Sequence, residues 1–263
     1  MSSEIVYQVE NEIAIIRVNR PEARNALNWA AQEGFAAAVT AVSQNPAIRV
    51  LILTGTGQQA FVAGGDLKEL GQNPDRAAGE RLNRVMGQAL VQLTELPIPV
   101  IAAINGDAFG GGCEILTACD LRLAAAQAQF SFAQVRVGLT TGWGGTARLV
   151  RLIGQSQATE LLLTSRLFDA QEAVRLGFVH RILPSAADVL AAALAWAEEM
   201  THLPQAALAA TKTLIRHSHL SLREGHNIEK ELFLNLWAQP DHLEALAAFN
   251  EKRKPAFRQS TND

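Results

Sequence analysis

Residues 99–124 read PVIAAINGDAFGGGCEILTACDLRLA, and the layout of the whole chain follows from this stretch. Val100 to Ile104 is a wholly apolar run bounded by Pro99 and by Asn105-Gly106, the profile of a short strand buried on both faces. Gly110, Gly111 and Gly112 then lead into a helical run starting near Cys113-Glu114. Glycine permits a close backbone approach that a side chain would block, and a helix start carries unpaired N–H groups with partial positive charge.

The same arrangement stands upstream in VLILTGTGQQAFVAGG, residues 50–65. A buried strand, Val50 to Leu53, ends at Gly55, and Gly64-Gly65-Asp66 precedes the helix-like Asp66 to Leu70. Gly55-x-Gly57-x-x-Ala60 invites comparison with a dinucleotide-binding loop, but that fingerprint needs a helix to begin inside the glycines, and Phe61-Val62 follow instead. Either glycine cluster alone is satisfied by a plain strand-to-helix turn. Two helix starts, each following a buried strand, could aim two N–H donors at one oxygen. Glu114, one helical turn beyond Gly111, can add a carboxylate at the same mouth, although the helix dipole favours an early glutamate for its own sake. Asp66 is placed to cap its short helix. A donor pocket with an adjacent base is an enolate-forming site.

Ile5 to Val9 and Ile13 to Val18 alternate as a hairpin turning near Glu10 to Glu12, and Trp29 to Ser43 has helical spacing. Leu82 to Leu96 is again helical. Leu121 to Leu123, Phe130 to Phe132 and Phe178 to Leu183 read as short strands, and Trp143 to Ile153, Gln157 to Leu163 and Ala170 to Leu176 as helices. Alternation of this kind predicts an α/β fold of stacked β-β-α units. From Ala186 onward only amphipathic helices are expected, Leu190 to Met200, Ala206 to His217 and Leu222 to Trp237, which divides the chain into a core over 1–198 and a helical region over 199–263.

With 263 residues, 48% of them hydrophobic, the chain can bury a full core, and a net charge of -3 offers no basic face to nucleic acid or to an anionic membrane. Neither a targeting leader nor an apolar stretch of membrane-spanning length is visible, so a soluble cytoplasmic protein is expected. Cys113 and Cys119, read as lying in one helix, suit reduced thiols and lack metal-site spacing; no metal is expected. The six histidines are scattered away from the glycine loops. Gly154-Gln155-Ser156-Gln157-Ala158 approaches a serine-hydrolase elbow but lacks the last glycine and lies between two helices instead of after a strand.

At AFVAGGDLKEL (60–70) and PVIAAINGDAFGGGCEILTACDLRLA (99–124) the chain resembles the crotonase (enoyl-CoA hydratase/isomerase) superfamily. The likeness runs through NRPEARNALN, FSFAQVRVGLTTGWGGTARLVRLIG (130–154), LTSRLFDAQEAVRLGFVHRI (163–182) and FNEKRKPAF (249–257), nearly the whole chain. It implies a spiral of β-β-α units followed by a helical trimerisation region, in a homotrimer or a hexamer built as a dimer of trimers. It also implies an acyl-CoA substrate whose coenzyme A is part of the substrate, with no separate cofactor. By motif position the oxyanion-hole amides fall on Gly65 and Gly111, and the first family glutamate on Glu114. Substrate contacts fall on Ala63, Asp66, Leu67 and Lys68, and those to the CoA phosphates on Arg24, Lys252 and Lys254, for which a solvated helix end is the alternative reading. The second family glutamate falls on Gln134, which can hold a water but cannot exchange a proton. An isomerase, an alkylmalonyl-CoA decarboxylase-like lyase (suggested by TACDLRL and WGGTARLVRLIG) and a non-catalytic acyl-CoA-binding subunit therefore stand beside the hydratase as alternatives.

Overall fold

The computed structural model describes residues 3–72 and 75–257. Strands β1 (Ile5–Glu10) and β2 (Ile13–Val18) form the expected antiparallel hairpin, and α1 (Trp29–Gln44) follows, capped by the Asn28 side chain, which accepts from the Ala31 N–H at 2.9 Å. Next come β3 (Val50–Gly55), the short β4 (Ala60–Val62), α2 (Leu67–Leu70) and α3 (Arg76–Glu95). The pattern recurs in β5 (Val100–Ile104), β6 (Asp107–Phe109) and α4 (Gly111–Thr117), and again in β7 (Leu121–Ala125) and β8 (Gln129–Ser131), which lead through a 3-10 turn to α5 (Gly145–Ile153) and α6 (Gln155–Thr164). Strand β9 (Phe168–Asp169), α7 (Ala170–Arg175) and β10 (Arg181–Leu183) close the core, and α8 (Ala186–Thr201), α9 (Gln205–Arg216), α10 (Leu222–Trp237) and α11 (Pro240–Asn250) complete the chain.

Within each unit the first strand joins one sheet and the second joins another. The six-stranded sheet runs β1-β2-β3-β5-β7-β10 and the four-stranded sheet β4-β6-β8-β9. Pairing is parallel from β2 to β10 in the first, and along β4, β6 and β8 in the second. Successive units therefore stack as turns of one spiral. Strands β3 and β5 are apolar throughout because both their faces are covered. Leu51, Leu53, Val100 and Ala102 enter the main core with α1 and α3, while the alternate residues Val50, Ile52, Ile101 and Ala103 face α8. Small residues let α8 lie flat there: Val189, Ala193 and Ala197, one turn apart, are fully buried.

Two buried asparagines fix where β3 crosses into β4. Asn25 donates to the carbonyls of Thr56 (3.0 Å) and Ala60 (2.7 Å), and Asn105 accepts from the Gly55 N–H (3.0 Å) while donating to the Gly57 carbonyl (2.8 Å). The chain after Gly57 thus enters a strand, which excludes the dinucleotide loop.

Three expectations need correction. Phe178 and Val179 are not strand: their N–H groups both bond to the Ala173 carbonyl, closing α7 through Gly177 (φ +77°), so the strand starts only at Arg181. Helix α4 begins at Gly111 and ends at Thr117, so two of the three glycines lie inside it and Cys119 lies beyond it. Residues 240–250, given no element from the sequence, are helical. Both cysteines are buried and free, and burial pushes the Cys119 thiol up to about 12.

Candidate active site

A cavity of about 390 Å³ opens between α2, α3, α4 and the loop leading into α5. Gly65, Gly111, Glu114 and Gln134 all line it, as do Ala63 and Leu67, so six of the residues singled out from the sequence are brought together. Much of the remaining wall is apolar, from Leu70, Leu82, Phe109, Val137, Leu139 and Trp143.

Gly111 is the first residue of α4, and its N–H has no intrahelical acceptor. Gly65 forms an isolated parallel bridge with Leu27, in which the Leu27 N–H donates to the Gly64 carbonyl (2.8 Å) and the Asp66 N–H to the Leu27 carbonyl (3.0 Å). That pattern leaves the Gly65 N–H on the opposite side. Neither glycine N–H donates to a protein acceptor among the described residues. The two backbones also converge, since a Cβ placed on Gly64 would stand 3.4 Å from the Gly111 nitrogen. On Gly111 itself, a Cβ would run into the six-membered ring of Trp143, so packing demands glycine there.

Glu114 is 2% exposed, and its carboxylate is held by four donors. Oε1 accepts from Gln134 Nε2 (3.0 Å) and the Gly142 N–H (3.2 Å); Oε2 accepts from the N–H groups of Trp143 (2.8 Å) and Gly145 (3.0 Å). The start of α5 is therefore the cradle of the carboxylate, with its dipole aligned to favour the negative charge. Gly145 is required by closeness, because a Cβ there would stand 2.6 Å from Glu114 Cγ. The orientation of the Gln134 amide follows from its neighbour: reversed, it would set Oε1 against a carboxylate oxygen. As it stands, Gln134 Oε1 is buried without a partner. Arg148 supports the cradle from behind, donating to Thr117 Oγ1 (3.0 Å) and the Trp143 carbonyl (2.6 Å). Burial pulls its guanidinium below the ordinary value, and the charge of Glu114 opposes that shift.

Other residues singled out from the sequence lie apart from this cluster. Asp66 caps α2, accepting from the Lys68 N–H at 3.2 Å, and pairs with Arg20 at 2.9 Å; the Lys68 side chain is exposed. Arg24 pairs with Asp107 at 2.6 Å and sits 5.5 Å over the ring of Phe109, itself a wall residue. Lys252 and Lys254 are exposed just past α11, where Arg253 pairs with Glu244 and Glu251. Ser156 is an exposed residue of α6, so no strained elbow presents it. Sequence reasoning missed the Gly142, Trp143 and Gly145 amides and Asn83, whose Nδ2 donates to the Gly142 carbonyl. A signal was present in Gly144-Gly145, a third glycine pair ahead of a helix.

A spiral of β-β-α units with a glycine-lined cavity at its helix starts defines the crotonase class of fold. The chain belongs to the Enoyl-CoA hydratase/isomerase family, whose profile matches residues 8–260. It is similar to a crotonyl-CoA hydratase of Syntrophomonas wolfei subsp. wolfei, with 37% identity over 262 residues covering 96% of this chain and 97% of that one. A short-chain-enoyl-CoA hydratase of Clostridium acetobutylicum is 32% identical over 252 residues, 96% of each chain. The crystal structure of an enoyl-CoA hydratase from Bacillus anthracis superposes with a TM-score of 0.93 at 34% identity, over 98% of this chain and 100% of that one. The superfamily resemblance drawn from the motifs is thereby borne out, as is the α/β spiral.

Proposed function

We propose that the chain is an acyl-CoA enzyme in which the N–H groups of Gly65 and Gly111 hold the thioester oxygen as it becomes an enolate, while Glu114 alone moves the proton. The observation that carries this reading is the pair of unpartnered N–H groups, those of Gly65 and Gly111, in the lining of one cavity together with Glu114. The names of the hydratase relatives support the substrate class.

In the hydration direction Glu114 takes a proton from water as the water oxygen bonds to C3, and the C2–C3 π electrons move onto the thioester oxygen. The enolate then collapses by taking that proton from Glu114 at C2, which restores the carboxylate. Gln134, whose Nε2 donates to Glu114 Oε1 at 3.0 Å, holds that carboxylate in place and exchanges no proton. Proton pick-up at Glu114 Oε1 displaces either Gln134 Nε2 or the Gly142 N–H, the longest of the four bonds at 3.2 Å. Isomerisation would use the same carboxylate, removing the proton at C2 and returning it at C4. The phosphates of CoA meet Lys252 and Lys254 as point charges and Arg24 through its planar guanidinium, and the protein works as a homotrimer or hexamer through its helical region.

A decarboxylase would have to bring a carboxylated acyl chain into the cavity lined by the Glu114 carboxylate, so like charge favours the hydratase or isomerase reading. The deciding experiment is Glu114→Gln assayed on enoyl-CoA, β,γ-enoyl-CoA and alkylmalonyl-CoA. Loss of about 10²- to 10⁴-fold in kcat on the first or second, with binding retained, is expected from removal of the proton carrier. Undiminished turnover would reject its role, and carbon dioxide release from alkylmalonyl-CoA alone would install the decarboxylase.

A further inference from the structure

A second cavity, of about 720 Å³, lies between α3 and α5, and three residues belong to its wall and to that of the first cavity: Asn83, Gly142 and Trp143. The two spaces differ in chemistry. The first is largely apolar toward Leu70, Leu82 and Leu139, whereas the second sets Arg84, Gln88, Gln92, Glu95 and Arg148 around Val91 and the outer side of Trp143. What stands between them is built to stay in place. The Trp143 indole, 5% exposed, packs on Gly111, its carbonyl accepts from Arg148 Nη2 at 2.6 Å, and the adjacent Gly142 carbonyl accepts from Asn83.

From this shared wall we infer that Trp143 determines acyl-chain length: its indole is the end wall that stops the acyl chain short of the polar groove. The inference rests on the acyl-CoA reading of the first cavity. A chain held by the Gly65 and Gly111 amides has its C2 and C3 beside Glu114 and Gln134, and its further methylenes run among apolar side chains until they meet the indole. Beyond it, methylenes would displace water from charged groups without replacing its hydrogen bonds, so the groove rejects them a second time. Short acyl chains are the class that fits.

The test compares wild type and Trp143→Ala on butenoyl-CoA and decenoyl-CoA for turnover, and on butyryl-CoA and decanoyl-CoA for calorimetric binding. One methylene of misfit in an apolar pocket discriminates about 10- to 200-fold, so the decenoyl-to-butenoyl ratio of kcat/KM should rise at least about tenfold in the variant, and the ratio of binding constants should shift the same way. Should Trp143→Ala fail to fold by near-ultraviolet circular dichroism, Trp143→Leu carries the same expectation. An unchanged ratio in a folded variant overturns the wall. Wild type that binds both thioesters but turns over neither, with the binding ratio still shifting in the variant, overturns the proposed function and sustains the wall; wild type that binds no acyl-CoA overturns both.

Discussion

Glu114 combines burial with four hydrogen-bond donors, and its neighbours follow from that combination. Gly145 must lack a side chain because Cγ of Glu114 takes its place, and Gly111 must lack one because Trp143 does. This allows the amide of Gly111 to be tested apart from its packing. Gly111→Ala and Gly111→Pro bring the same Cβ against the indole, but only proline removes the N–H. Loss of one oxyanion donor costs about 2.7 to 4 kcal/mol in the transition state, so Gly111→Pro should turn over about two to three decades more slowly than Gly111→Ala. Steady-state kinetics on folded protein measures the difference. For Gln134, replacement by glutamate places a second carboxylate where Nε2 now lies 3.0 Å from Glu114 Oε1. Two such groups share a proton, so Gln134→Glu should add a titration to the pH profile of kcat/KM and raise hydration by up to about 10²-fold. The glycines and Glu114 were legible in the sequence because each advertises a local requirement, a close approach or a helix start. Trp143 was not, because its partner Gly111 is distant in the chain and nothing in the run Thr141-Gly142-Trp143 tells a pocket wall from a core residue.

Elements read most surely were those whose pattern reports burial directly. Strands β3 and β5 face a core on each side and so appear as unbroken apolar runs, and the hairpin alternates in β2, where Ala14, Ile16 and Val18 are buried and Ile15 and Arg17 half-buried. The three-residue strands β4 and β6 escaped notice since their identity lies in pairing with each other and with β8, which no local period records. Residues 178 and 179 misled through their apolar side chains, while their N–H groups were already committed to the end of α7. The cap of α2 carries a pH effect. Burial raises the Asp66 carboxyl, but the Arg20 bond and charge together with the Glu69 and Lys68 N–H groups outweigh it and leave the group below its ordinary value. A carboxyl depressed on folding contributes stability that is full above its unfolded value, about 4, and is lost as pH falls through the folded one. Asp66→Asn should therefore destabilise by about 1.5 to 3 kcal/mol at neutral pH, the worth of a hydrogen bond to a charged group, and by progressively less below about pH 4. Urea titrations at pH 7 and pH 3 read the difference.

At the scale of the molecule, the spiral brings the starts of α2, α4 and α5 to one place, each supplied by a different turn. The helical tail has another logic. No residue of α10 is buried, and Leu222 (95%), Phe249 (82%), Phe233 and Trp237 are exposed on α10 and α11. An apolar surface of this kind is the mark of an interface. The proposed trimer or hexamer predicts three or six times the 28.3 kDa chain mass in light scattering, reduced to one by Phe233→Glu with Trp237→Glu; a monomer in the wild type would contradict the assembly. Amphipathic helices were readable from 3.6-residue spacing, but which face stays uncovered was not, since that depends on how the tail folds over the spiral.

The position of a bound thioester oxygen tests the two-amide pocket most directly. A crystal structure with acetoacetyl-CoA should place that oxygen about 2.7 to 3.1 Å from both the Gly65 and the Gly111 nitrogens, with the acyl C2 against Glu114. An oxygen that contacts neither amide, or an acyl group turned away from Glu114, would contradict it.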